Sequence, residues 1–330
     1  MQLAAKPVSK EAQIGGELHW DLPSLIARVV VGHWRDCWHA LFPLRSLWIA
    51  GTLLAVLLCL TVRIEGPAIE KIEDELEIPE QRGSLQLLFG LIQLQVFRDN
   101  AATGEFLQSV FLRWALGPIG VLLSLAGTAS LMPSFMRSGT AMIVFTSPAN
   151  RALVVLIRYL GAVLICTLFA GLFVLYTTAA VAWALHCWPG AGLLALGVFC
   201  IHLAPFLAIS MLLGVWLRRS ALALAGSALV WLLCQLANLT YWHVQYFAAS
   251  TASTHTLVAV AYWLLPKPAD MMFLIEQLSG VHSHFSSWPE LQWAWDSGKM
   301  HVLLSLLTTL LAGGIAATLA GLEAKNAELP

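Results

Sequence analysis

The stretch FMRSGTAMIVFTSPANRALVVLIRYLG, residues 135–161, separates two long apolar runs and decides how the rest of the chain is read. Its polar parts, 137–140 and 146–151, place Gly139 and Pro148 where a helix is interrupted. They also gather Arg137, Arg151 and Arg158 around one short connection. Before it, residues 114–136 carry no charge in their interior; after it, 159–217 carry none. A bilayer crossing takes about 20 apolar residues, so the first run fits one helix and the second must be folded in two. The fold is at His186-Cys187-Trp188-Pro189-Gly190, a proline and glycine turn signal. Working outward, residues 46–62, 220–239 and 302–322 supply further crossings, and polar residues from Asn238 to Thr256 end the fifth. Six spans are expected, in an all-α polytopic membrane protein.

Composition agrees. Of 330 residues, 58% are hydrophobic and 11% charged, with a mean hydropathy of +0.75, whereas soluble domains carry about 25% charged residues. Lysine and arginine mark the inner side. Arg137, Arg151 and Arg158 sit at one connection and Arg218 and Arg219 at another, while the turn at 186–191 has none. Both basic connections therefore face the cytoplasm, both termini lie inside, and the loops 63–113 and 241–301 lie outside. The first of these loops opens with acids (Glu65, Glu70, Glu73, Asp74, Glu75, Glu77, Glu80). A formal net charge of -1 gives no field that would attract nucleic acid. The cysteines, Cys37, Cys59, Cys166, Cys187, Cys200 and Cys234, lie mostly in apolar runs and imply no disulfide framework. The first twenty residues are polar and lack the pattern of a cleaved signal, so the first span acts as its own insertion signal.

Ahead of that span, Leu22, Leu25, Ile26, Val29, Trp34, Cys37, Trp38 and Leu41 recur mostly at three and four residues, with Arg28 and Arg35 off the stripe. Asp21 and Pro23 suit a helix start. An amphipathic helix lying in the cytoplasmic interface is expected within residues 1–45. In the first outer loop, the uncharged stretch 83–97 reads as a helix on or capping the bundle. The second has an apolar stretch at 257–265, then Pro266 and Pro268, and aromatics Phe285, Trp288, Trp293 and Trp295 that suit the headgroup level. With no internal repeat or soluble segment, residues 1–330 form one transmembrane domain: the bundle at 46–322, outer-face helical loops, and a cytoplasmic tail at 323–330.

Ser138, Gly139, Thr140, Pro148, Arg151, Tyr159, Leu160 and Gly161 stand without a gap where a known family carries Ser-Gly-Thr, Pro-x-Ser-Arg and a Lys-Tyr-Leu-Gly-like start of the next helix. In this loop the chain resembles permease subunits of type-2 ATP-binding-cassette (ABC) transporters. The resemblance implies that Arg137 to Arg151, with Arg158, form the loop on which a separate ATPase subunit docks. It also implies a dimer with a second permease copy or a paralogue, a pathway along the second and fifth spans, outward transport across a bacterial cytoplasmic membrane, and short re-entrant helices before the last span, at 256–265. The chain departs from the family pattern at Phe135, Arg137, Ala152 and Leu153, where acids are common, at Asn150 in place of serine, and at Arg158 in place of lysine. The missing acids leave a heteromeric pair open.

The residues themselves say where chemistry is and is not expected. No Gly-x-x-x-x-Gly-Lys-Ser/Thr loop occurs, so ATP and Mg belong to the partner ATPase and this chain carries no cofactor or catalytic residue. No Asp or Glu falls within the six spans. Intramembrane ionisable groups mark ion pathways, so a secondary carrier is disfavoured, as is an intramembrane enzyme, which lacks both His-Glu-x-x-His and paired aspartates. An ATPase-linked complex that transmits force without transport stays open beside the exporter. Candidate pathway residues are His202, three positions before Pro205, and Gln235 and Asn238 on the fifth span, each also explained by helix-to-helix hydrogen bonding. Arg113 stands at the outer edge of the second span. His282 and His284, near His301, lack the companions of a metal site and read as surface residues; Met271 and Met272 read as packing. The uncharged pathway does not distinguish drugs, lipids, peptides or glycans as substrate.

Overall fold

A computed structural model describes residues 42–60, 63–65, 82–87, 92–97, 100–136, 151–186, 192–247, 252–278 and 288–326, together with Val31, Gly32, Trp34, Arg35, Trp38, His39 and Trp188. In chain order the elements are helix α1 (Phe42–Leu60), strands β1 (Arg63–Glu65), β2 (Arg82–Leu87) and β3 (Ile92–Phe97), then helices α2 (Asn100–Ala115), α3 (Pro118–Thr128), α4 (Leu131–Phe135), α5 (Arg151–Leu185), α6 (Gly192–Leu217), α7 (Ser220–Phe247), α8 (Ala252–Leu264), α9 (Pro268–Leu278), α10 (Pro289–Asp296) and α11 (Val302–Asn326). Five helical runs among the described residues are long and apolar enough to cross a membrane: Thr103–Ser134, which joins α2 to α4, and α5, α6, α7 and α11. A sixth candidate is the pair His255–Leu264 and Pro268–Leu278, bent by 69° at its break. The chain is a polytopic helical membrane protein.

The turns fall where composition puts them. α5 stops at Leu185 and His186 turns with φ 53; α6 stops at Leu217 and Arg218 does the same with φ 53. Between α2 and α3 the helix breaks at Gly117, where a Cβ would lie 2.2 Å from the Arg113 carbonyl oxygen, and Pro118 restarts it. The second candidate span starts at Thr103, earlier than residue 114, and Arg113 within it is paired with Glu276 of α9.

The core is centred on α6, which packs against α5, α7, α9 and α11. Gly313 of α11 lets that helix close on Pro205 of α6, since a Cβ there would stand 3.2 Å from the proline Cα and N. On the outside, Leu303, Leu307, Leu311 and Ile315 of α11 and Leu229, Leu232, Leu233 and Leu236 of α7 are exposed, the apolar faces a helix turns to lipid. α1 occupies the place of the first expected span, with Trp48 edge-on to Phe173 of α5 at 5.9 Å.

The helix expected at 83–97 is replaced by strands: β1, β2 and β3 form an antiparallel sheet in that order. Register pairs like with like, Leu85 with Leu94, Gln86 with Gln93 and Leu87 with Ile92. Ile92-Gln93-Leu94-Gln95-Val96 alternates with period two, which is a strand pattern, and that alternation prevails over the stretch's overall apolarity. Val31, Gly32, Trp34, Arg35, Trp38 and His39 are helical, and the Trp38 ring stacks on Phe169 of α5 at 5.8 Å. The rest of the expected interfacial helix lies outside the described residues.

Candidate functional site

The break between α8 and α9 reads Leu265-Pro266-Lys267-Pro268. Two prolines remove backbone donors and fix φ, so α8 cannot continue, and Pro268 starts α9 in the position a helix tolerates. Residues Pro268 to Glu276 of α9 are buried without exception. A helix enclosed on every side carries a carboxylate only if its neighbours satisfy it, and Asp270 is fully buried.

Its neighbours do so. Asn238 Nδ2 donates to Asp270 Oδ1 at 3.1 Å and Trp242 Nε1 donates to the same oxygen at 2.7 Å. Tyr262 Oη donates to Oδ2 at 2.7 Å and Ser305 Oγ at 2.8 Å. These donors come from α7, α8 and α11. Asn238 and Trp242 are i and i+4 on α7, one face of a helix. Asn238 works in both directions, since its Oδ1 accepts the Asp270 backbone N–H at 2.9 Å, one of the donors that the first turn of α9 leaves free. An ionised carboxylate is acceptor-only with about four lone-pair sites, and four donors fill them. The four hydrogen bonds favour the charged form, while full burial disfavours it.

The balancing charge is Lys267, at the break itself and fully buried. Its Nζ donates to Thr308 Oγ1 at 2.7 Å and lies 4.4 Å from the Tyr262 ring centroid and 4.2 Å from that of Trp263, two cation–π contacts. Its backbone N–H donates to Thr309 Oγ1 at 3.3 Å. Ser305, Thr308 and Thr309, at i, i+3 and i+4, thus form one polar face of α11 that receives the break. Tyr262 is held in turn by stacking on Tyr241, with centroids 3.9 Å apart and planes 14° apart. Farther along α9, Glu276 pairs with Arg113 of α2, Nε to Oε1 at 3.1 Å.

The expected pathway residues lie beside this centre. Trp231, Gln235, Asn238 and Trp242 are the buried stripe of α7. Trp231 Nε1 donates to His202 Nε2 of α6 at 3.4 Å, and His202 is edge-on to Phe206 at 5.9 Å. Asn238 belongs to the Asp270 centre, His202 does not, and Gln235 stands between them on the stripe. Of the expected docking residues, Arg151 begins α5. Arg158 is buried two turns in, with Nη1 3.5 Å from the Leu131 carbonyl oxygen of α4. Arg137, Ser138, Gly139, Thr140 and Pro148 lie outside the described residues, as do His282 and His284.

Sequence reasoning missed Asp270, Lys267, Tyr262, Trp242 and Ser305, having assigned 241–301 to an outer loop. The expected absence of carboxylates from the spans does not hold across the described helices: Glu105 lies in Thr103–Ser134, Glu323 near the end of α11, and Asp270 and Glu276 on the broken pair. A signal was present: Pro-Lys-Pro-Ala-Asp, 266–270, interrupts an apolar run that resumes at Met271. No protein-family model matches the chain, and no curated protein or solved structure does either.

Proposed function

We propose that the chain is the membrane-spanning permease subunit of an ABC-type exporter. A separate ATPase subunit, which holds the ATP and Mg, docks on residues 137–151 of the cytoplasmic loop, and a second permease copy or paralogue completes the dimer. In this reading α1 is a sixth crossing, α8 and α9 dip in from the outside, both termini are cytoplasmic, and the membrane is the bacterial cytoplasmic one. The carrying observation is the gapless loop pattern Ser138-Gly139-Thr140, Pro148, Arg151, Tyr159-Leu160-Gly161, set directly on the start of α5.

The geometry of α5 supports it. At 1.5 Å per residue this 35-residue helix is roughly 50 Å long, against a hydrocarbon core of about 30 Å. The helix therefore has turns to spare beyond the hydrocarbon core, and its first turns adjoin the loop. There Arg158 reaches Leu131 of α4, and one residue later Tyr159 Oη donates to the Ala204 carbonyl oxygen of α6 at 3.2 Å. A push on the loop has a stiff path into two neighbouring helices. The broken pair before α11 sits where such exporters carry re-entrant helices.

The test is mild-detergent affinity purification from the native membrane, with co-purifying proteins identified and ATP hydrolysis assayed, for the natural chain and for Arg137→Glu/Arg151→Glu. An ATPase subunit that accompanies the natural chain and is lost from the variant is the expected result; no ATPase with the natural chain removes the reading. The buried Asp270 favours a second reading, a secondary carrier. It predicts transport driven by an ion gradient in vesicles that contain this chain alone. A complex that transmits force without transport is separated from the exporter by testing whether any transported compound stimulates ATP turnover.

A further inference from the structure

The two oxygens of Asp270 are not equivalent. Oδ1 faces the Trp242 indole N–H and the Asn238 amide N–H, and neither donor can reverse its role, because the Asn238 oxygen is already committed to the Asp270 backbone N–H. Oδ2 faces the hydroxyls of Tyr262 and Ser305, which stand 3.5 Å from each other and can accept as well as donate. Only Oδ2 has partners able to receive a hydrogen bond from a protonated carboxyl.

We propose that Asp270 is a proton-binding site that takes its proton on Oδ2 when α11 separates from the broken pair α8–α9. That contact depends on adjacent α11 hydroxyls: Ser305 on Asp270 and Thr308 and Thr309 on Lys267. Withdrawal of α11 removes one donor from a buried carboxylate, and loss of a hydrogen bond to the charged form favours the neutral one. One proton is then taken up from the bulk aqueous pool, relayed by water at the opened contact, onto Oδ2. The new O–H donates to the Tyr262 oxygen, whose own hydrogen turns away, and no other bond changes. Return of Ser305 restores the donor and expels the proton to water. Proton uptake thus accompanies opening whatever drives it, and the inference stands on this site alone, apart from the assignment of an ATPase partner.

The surrounding charges set the balance. At the break before α9, Lys267 opposes protonation, while on α9 Glu276 is paired with Arg113 of α2. From α7 come Asn238, Trp242 and the Tyr241 ring, and from α8 Tyr262. From α11 come hydroxyls only, and α6 contributes no Asp, Glu, Lys or Arg.

The experiment is infrared difference spectroscopy of the full chain in lipid nanodiscs across pH, following the carbonyl stretch of a protonated carboxylic acid. Asp270→Asn identifies the band by removing it. Ser305→Ala imitates the opened contact. Its midpoint is expected at higher pH than in the natural chain, by about one to two pH units, the shift that loss of one hydrogen bond to a charged group produces. Tyr262→Phe removes the other Oδ2 donor and shifts the midpoint in the same direction, and it serves if Ser305→Ala does not fold. Thr240→Ala, an exposed hydroxyl bonded to its own helix, leaves the midpoint unchanged. Absence of an Asp270-dependent band in both the natural chain and the Oδ2 variants overturns the proposal, as does an identical midpoint in natural chain and variants.

Discussion

Replacing Asp270 by asparagine and by alanine separates two accounts of the same buried carboxylate. Asparagine preserves the shape. Its oxygen can face Trp242 and the Asn238 amide, and its NH2 can face the oxygens of Tyr262 and Ser305, so all four contacts persist as neutral hydrogen bonds. Loss of charge assistance is offset by no longer having to bury a charge, and the expected net cost is about 1 kcal/mol. Alanine removes every acceptor. The two hydroxyls can turn toward each other, but the Trp242 and Asn238 donors stay buried and unpaired at about 1–3 kcal/mol each, and the vacated volume adds to this. The expected total is about 3–6 kcal/mol. Thermal unfolding in nanodiscs reads the difference. At roughly 2–4 °C per kcal/mol, the alanine midpoint lies about 5–15 °C below the asparagine midpoint. Coincidence of the two midpoints within about 2 °C would refute the donor geometry, because the alanine variant alone leaves these donors without a partner and opens a cavity beside them.

Other consequences follow from packing and charge. Gly313→Ala drives a Cβ into the Pro205 backbone at 3.2 Å and is expected to destabilise by about 1–3 kcal/mol. Gly314→Ala, with nothing within 4 Å, meets no clash, is expected to leave stability unchanged or raise it by up to about 1 kcal/mol, and is the control in the same unfolding assay. Arg113→Met leaves Glu276 buried beside no guanidinium and is expected to cost near the lower end of roughly 3–5 kcal/mol, since Arg113 is partly exposed. Arg113→Met/Glu276→Leu recovers most of that loss, and no recovery would mean that the ion pair is not what couples α2 to α9.

Much of the fold was legible because each helix carries its own signal. The apolar runs around 114–136, 159–217 and 302–322 became Thr103–Ser134, α5 with α6, and α11. Pro189 and Gly190 in one connection and Arg218 and Arg219 in the other marked where α5, α6 and α7 turn. The strands were misread because apolar content was weighed ahead of the period-two alternation at 92–96. The second span was cut short at Arg113 because an arginine reads as a membrane edge until its partner Glu276 is seen.

The amino-acid order alone determined that this is a polytopic helical membrane protein, where its helices break, and which loop carries the arginines, since hydrophobicity and helix interruption act through neighbours in the chain. The tertiary structure decided that Asp270 is buried and who satisfies it. Its partners Trp242, Asn238 and Ser305 stand 28, 32 and 35 positions away. No local pattern encodes contacts at that range; the packing of α7 and α11 around the α8–α9 break creates them, and only there does a loop-like aspartate become an internal charge.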